Sequence, residues 1–521
     1  MAYPEPTEVA PWYLRNITQA LELDEATGNV FVRTNAAVIG NVTVGNVTIG
    51  SLGNVDLSNT YLPVSVTGNI LGITGNIAGI TGNVTVNPIT GNVGIVGNVN
   101  VTQGTSPWVV SGNVTATLPS DSNVVISGFS GATSDAFGRL RVSNPFTLFD
   151  TNARYYNHNQ FSNAIVGTGN VVYVQNQSSF QLNVGTTSGD SVIRETKRVF
   201  PYQPGKSQLS LNTFCFNTPK TNLRQRVGLF GASDGVFFEN DGTYNYMVIR
   251  SGSTGVEERV RQDAWNGDRL SGNGGATNPS GITLYPQRTQ IFYSDVEWLG
   301  VGSVRVGFII NGVYYLCHTF NHANQSGNTQ VYMTTATLPI RYEITNTGTV
   351  TSPSMMTQIC STVISEGGYN SFGTTQTAGT GTTQVRLVNQ DTYYPIVSIR
   401  LNSSRLDSIV VPRQIDVLSP TVNYYRWVLL ENATLTGATW ATTSPTGTVD
   451  IDLAATAVSG GIELQSGYAS ARELTQLSNV DFFQYQLGRT LAGVSDTVTL
   501  ALAATANNAD VLAELGWQEL T

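Results

Sequence analysis

Val304-Arg305-Val306-Gly307-Phe308-Ile309-Ile310-Asn311-Gly312-Val313-Tyr314-Tyr315-Leu316-Cys317 carries apolar, β-prone runs on both sides of an Asn-Gly pair. Asn-Gly suits the two central positions of a type I′ turn, so the stretch reads as a β-hairpin. Comparable runs precede it at residues 171–174, 180–184, 228–230, 235–239, 244–250 and 290–298, with turn residues between them. So many short strands over roughly 200 residues imply a two-sheet sandwich of jelly-roll type.

Working outward, the Gly- and Thr-rich stretch 369–383 reads as a linker. Residues 384–521 read as a second, smaller sandwich, with strands expected at 396–401, 424–430, 448–453 and 497–503. Residues 509–517 fit either a short helix or a strand.

On the other side, residues 28–131 contain Gly-Asn ten times, each pair followed by Val or Ile, as in Gly40-Asn41-Val42. Between Asn35 and Ser134 there is no Lys or Arg, and the charges are Asp56 and Asp121 alone. Runs such as Val42-Thr43-Val44 put branched aliphatics on one face, and Gly before Asn suits a type II′ turn. One such strand buries too little apolar surface to offset its ordering entropy. Residues 28–134 are therefore expected to form a repetitive β shaft built from three chains, with a single-chain β-helix as the competing architecture. Residues 1–27 carry Trp12, Tyr13 and Leu14 beside Pro11 and are read as a docking segment, with a short helix over residues 17–23. The expected fold class is thus all-β: a docking peptide, a trimeric shaft, a jelly-roll sandwich at 135–368 and a second sandwich at 384–521.

The net charge of −9 argues against nucleic acid, which needs a basic footprint. No apolar run approaches the roughly 20 residues of a membrane-spanning helix, and the first residues lack the pattern of a secretory signal. Neither membrane insertion nor a cofactor is expected. Three cysteines, Cys215, Cys317 and Cys360, are too few and too scattered for a disulfide framework, and buried free thiols are the preferred reading. Metal ligation would have to use Cys317, His318 and His322. Residues four apart on a straight strand lie about 13 Å apart, so only a turn at Asn321 could gather them, and no metal is expected.

Charge returns at Asp135-Ala136-Phe137-Gly138-Arg139-Leu140-Arg141-Val142-Ser143, which leads through Pro145 to Thr147-Leu148-Phe149-Asp150 as a collar. This run resembles a segment found in virion structural proteins of tailed phages, especially those of marine cyanobacteria. The resemblance covers about 16 residues and brings no active-site residues with it. It implies a fibre-like or baseplate-associated virion protein, assembled in the host cytoplasm and docked on other virion proteins by its N-terminal segment. The expected role is attachment to a host-surface glycan by a homotrimer, without catalysis. A baseplate or capsid decoration protein with no receptor role and a polysaccharide-degrading spike are the alternatives.

The strand around Asp295-Val296-Glu297, followed by the Asn-Gly hairpin, resembles the order in lectin-type jelly rolls, which does not establish sugar binding. Asp295 and Glu297 are the residues a glycosidase would use, because alternate strand residues share a face. Two acids on a solvent-facing strand are the plainer explanation. For sugar recognition, the loop with Trp265, Asn266 and Asp268 and the pair Tyr244 and Tyr246 offer aromatic surface beside polar groups. Trp265 in a core is the competing reading. Asp234-Gly235 and Asp241-Gly242 lack the spacing of a calcium loop and read as turns.

Overall fold

In a computed structural model, the described residues are 21–23, 26, 30–32, 144–155, 159–420, 422–444, 447–470, 474–478 and 485–520. The chain divides into two compact units, residues 1–122 and 123–521. In the first, β1 (Leu21–Leu23) and β2 (Val30–Val32) pair antiparallel, Leu21 opposite Val32 and Leu23 opposite Val30. A strand therefore stands at the end of the expected helix 17–23. The aromatic and β-branched run Val30-Phe31-Val32 is a ready strand partner, and pairing overrides a weak helical preference.

The second unit opens with β3 (Phe146–Thr151), β4 (Phe161–Val166), β5 (Asn170–Val174), β6 (Ser179–Val184) and β7 (Ser191–Thr196). Next come β8 (Gln208–Cys215), β9 (Leu223–Phe230), β10 (Gly235–Asn240), β11 (Asn245–Arg250) and β12 (Glu257–Arg261). β13 (Gln290–Val296), β14 (Val304–Ile310), β15 (Val313–Phe320), β16 (Ile340–Asn346) and β17 (Ser354–Ser365) complete the first sandwich. One sheet runs β12-β11-β10-β9-β16-β7-β4. The other runs β15-β14-β13-β8-β17-β6-β5, with β3 beside β17. The chain thus crosses repeatedly between the two sheets, between β3 and β4, β6 and β7, β8 and β9, β12 and β13, and β15 and β16, as in a jelly roll.

The hairpin at 304–320 forms as its residues dictate. Ile310 pairs with Val313, leaving Asn311 and Gly312 as a two-residue loop with φ of 52° and 79°. Positive φ at both positions defines the type I′ turn, and Asn and Gly tolerate it best. Period-two alternation then sorts the strands. Phe292 and Val296 of β13 enter the core with Phe214, Val306 and Phe308, while Tyr293 and Asp295 take the opposite face.

The second sandwich has its own core around Trp427, Leu500 and Trp517. One sheet orders Gly373–Gly379, Ala509–Leu520, Ile409–Leu418 and Leu474–Ser478. The other is centred on Tyr394–Leu401, Thr497–Ala504 and Tyr425–Glu431. The stretch read as a linker thus contains a strand paired with the chain's last one, and residues 509–517 belong to that last strand. Lys197 meets Asp496 at 3.2 Å, and Arg489 Nη1 meets Glu195 Oε1 at 3.0 Å. Val199 packs in the second core, and its carbonyl accepts from Gln486 Nε2 at 3.0 Å.

The expected fold class needs correction. All-β character and the jelly roll stand, but the described strands form several open sheets, and among them there is no closed barrel, β-helix or solenoid shaft. A homotrimeric tail fibre on a β-helix shaft is therefore not what these sheets build. Of residues 28–134, only Val30–Val32 is described, and it pairs within its own chain. The rest of the Gly-Asn stretch lies outside the described residues, as do Trp12, Tyr13 and Leu14. Among the described residues, no helix is long and apolar enough to cross a membrane.

Candidate functional site

Where β13 and β14 leave the eight-stranded sheet, a pocket of about 460 Å³ opens, lined among others by Lys206, Ser207, Asp295, Glu297, Ser303 and Arg305. Asp295 and Arg305 are cross-strand partners, and the Arg305 Nη2–H donates to Asp295 Oδ2. Ser207 stands at the entry to β8. Its hydroxyl donates to Glu366 Oε2 at 3.0 Å. The backbone fixes the same link, because the Glu366 N–H donates to the Ser207 carbonyl at 2.9 Å.

Burial pushes the Asp295 carboxyl above its ordinary value; Arg305 pulls it back, and the Glu366 charge pushes the same way as burial. Glu297 is exposed, and its carboxylate accepts from the Ser303 N–H at 3.4 Å across the turn before β14. The two carboxyls expected to lie together do line one pocket, in different environments. Arg305 tempers the difference by neutralising Asp295.

Two tyrosines lie farther along the same face of the sheet, outside the pocket lining. Tyr293, two residues before Asp295, meets Tyr314 of β15 edge-on with ring centroids 5.2 Å apart. Tyr293 is buried, while Tyr314 is 54% exposed. Gly307 of β14 makes this possible: a β-carbon there would stand 2.9 Å from Tyr293 Cε1 and 2.0 Å from the Tyr315 carbonyl. An exposed ring, a buried ring and a polar pocket therefore follow one another on one face. Ser207, Arg305, Tyr314 and Glu366 were not legible as site residues. The signal for Arg305 and Tyr314 was the hairpin itself, which places Arg305 on the strand beside Asp295 and Tyr314 on the strand after it.

The expected sugar-binding loop does something else. Trp265 is 1% exposed, belongs to the core and donates from Nε1 to the Val260 carbonyl at 3.0 Å. Asn266 pairs with the backbone of Thr319 in both directions, Nδ2 donating to its carbonyl and Oδ1 accepting from its N–H, each at 2.8 Å. The Gly267 and Asp268 N–H groups donate to the Cys317 and Leu316 carbonyls. The loop thus covers the edge strand β15, which would otherwise present unpaired backbone. The buried Asp268 carboxylate accepts from the Leu270 and Ser280 N–H groups.

Tyr244 and Tyr246 lie at β11, in the other sheet. Arg261 stands over the Tyr244 ring and Arg259 over Tyr246. The five residues do not form one binding surface. With Trp265 and Asp268 buried, the assignment of that loop as a glycan surface is corrected.

The three metal candidates separate as well. Cys317 is in the core, where burial raises its thiol above its usual range. His318 Nδ1 accepts from the Asn266 N–H at 3.2 Å, and burial lowers the pKa of the ring. His322 lies beyond the end of β15. Among the described residues, no group of three or more His, Cys, Asp or Glu is placed to hold a metal ion. Asp234 accepts from the Gly252 and Thr334 N–H groups, and Asp241 from those of Thr243 and Tyr244, so both are turn residues.

No family model and no curated protein matches the chain. Among solved structures, a Bacillus licheniformis beta-glucanase aligns with 41% of this chain and 96% of its own, at 12% identity and a TM-score of 0.26. A beta-1,3-glucanase from Mycobacterium marinum aligns with 42% of this chain and 98% of its own, at 10% identity and a TM-score of 0.27. A legume lectin-like domain from Entamoeba histolytica aligns with 40% of this chain and 91% of its own, at 11% identity and a TM-score of 0.24. Scores this low carry no argument about what this chain binds or does.

Proposed function

We propose that the first sandwich binds carbohydrate on the outer face of its eight-stranded sheet. The observation behind this reading is the run from exposed Tyr314 through Tyr293 into the Asp295–Arg305 pocket. A pyranose presents an apolar face and a rim of hydroxyls. An exposed tyrosine suits the first, and a carboxylate beside a guanidinium suits the second. The role is recognition, and a glycan of a host surface is the partner this reading takes.

The test is a glycan array followed by calorimetry on the hits. Tyr314→Ala is expected to weaken binding about tenfold or more, a loss of roughly 1.4 kcal/mol, with unfolding unchanged. Arg305→Gln is expected to weaken it as well. Binding that survives both substitutions removes the proposal.

A second reading has one observation in its favour: Asp295 and Glu297 line the same pocket, and burial holds the Asp295 carboxyl above its ordinary value. It would make the protein a polysaccharide hydrolase. Release of reducing ends from a bound polysaccharide, lost in both Asp295→Asn and Glu297→Gln, is the result that would replace recognition by turnover.

A further inference from the structure

A second pocket, of about 240 Å³, lies between β11, β12 and the loop after β15. Glu258, Ser251, Thr254, Asn328, Tyr332 and His322 are among its lining residues. His322 is the chemically unusual member. Its side chain is 7% exposed, and its ring stacks on Tyr332 with centroids 3.9 Å apart and planes 5° from parallel. Nδ1 lies 2.7 Å from the Gly302 carbonyl. A carbonyl only accepts, so Nδ1 carries the proton, and in the neutral ring Nε2 carries the lone pair. That Nε2 is buried and has no hydrogen-bond partner. An unpaired buried polar atom costs about 1–3 kcal/mol, so its persistence in a tightly held ring calls for a function.

The nearest charged group is the Glu258 carboxylate, with Oε2 3.8 Å from Nε2. That is too far for a hydrogen bond. Two bonds of about 2.1 Å at a tetrahedral ion separate their ligand atoms by roughly 3.4 Å, so a small turn of the exposed Glu258 side chain brings the pair to the span of a shared cation. Donation of the other ring nitrogen to a backbone carbonyl is also how metal-binding histidines are oriented. His318 cannot serve in the same way, because its Nδ1 accepts from Asn266 and so leaves the proton on Nε2.

We propose that His322 Nε2 and the Glu258 carboxylate hold a divalent transition-metal ion of the zinc class. Imidazole with carboxylate selects such ions over magnesium, which prefers oxygen alone. With two protein ligands, the ion keeps open positions toward the pocket. The site lies away from the Asp295 pocket and stands independently of the carbohydrate reading.

The test is calorimetric titration of the full chain, freed of any polyhistidine tag, with zinc chloride and with magnesium chloride. Saturable 1:1 binding of zinc alone is expected. Glu258→Gln, at a side chain 56% exposed, should fold normally and weaken zinc by more than about tenfold. His322→Gln should abolish binding, while His318→Gln and Cys215→Ser/Cys360→Ser should keep it. Glu258→Gln alone decides the matter if His322→Gln does not fold. Zinc binding unchanged in Glu258→Gln, lost with the two cysteines, or absent from the wild type in the micromolar range overturns the site.

Discussion

Arg226→Ala is expected to destabilise the first sandwich by about 3–5 kcal/mol, the cost of stripping one partner from buried ion pairs. Arg226 sits on β9 between Glu239 of β10 and Glu343 of β16, cross-strand from both. Its Nε lies 2.5 Å from Glu239 Oε2 and its Nη1 3.5 Å from Glu343 Oε1. Both carboxylates are buried, and the guanidinium also covers the Phe237 ring at 5.1 Å. Arg259 still reaches Glu239 and Arg341 still reaches Glu343, which places the loss toward the lower end of the range.

Urea unfolding followed by tryptophan fluorescence measures the effect. Adding Glu239→Gln to Arg226→Ala should restore part of the loss. An unchanged midpoint in Arg226→Ala would mean that the two remaining arginines neutralise the acids alone.

The same network fixes a pH dependence. Burial alone would raise the Glu343 carboxyl, but Arg341, Arg226, Arg224 and Arg250 together hold it below its ordinary value. A carboxylate with a depressed folded pKa contributes stability above its unfolded value, and that stability is lost as pH falls through the folded one. Without Arg226 the folded value rises toward the unfolded one, so Glu343 contributes less stability at neutral pH and the acid limb of the stability profile becomes shallower.

Trp265→Ala is the second large effect, again about 3–5 kcal/mol, because it removes a fully buried aromatic side chain. The Nε1 bond to the Val260 carbonyl is lost with it. Trp265→Phe should fold and retain glycan binding. A tryptophan serving as a sugar platform would show the reverse: little change in unfolding and loss of binding on substitution. Thermal unfolding and the array hits, measured on Trp265→Phe and Tyr314→Ala side by side, separate the two roles.

The contrast shows how far the residues speak for themselves. Asn311-Gly312 was legible because two residues of special conformational tolerance stand between alternating runs. The pairing of Asp295 with Glu297 was legible because strand alternation is local. Ser207 and Glu366 were not, since only the packing of β8 between β13 and β17 brings them to Asp295. Trp265-Asn266 carries aromatic and amide groups whether it faces a sugar or covers an edge strand; the difference lies in the backbone of Thr319, far along the chain. Residues 373–379 look pliant because they are Gly- and Thr-rich, yet Thr is β-prone, and the strand forms because the C-terminal strand supplies its partner.

The Arg489–Glu195 contact has a consequence for how the molecule comes apart. Glu195 also binds Arg341 at 3.2 Å, which binds Glu343 at 2.9 Å and so reaches Arg226. Charges of alternating sign therefore run from the second sandwich across the sheet of the first. Separating the sandwiches would withdraw one of the two cations flanking a buried acid, so loss of either sandwich weakens the other. The two cores should melt as a single cooperative transition in calorimetry.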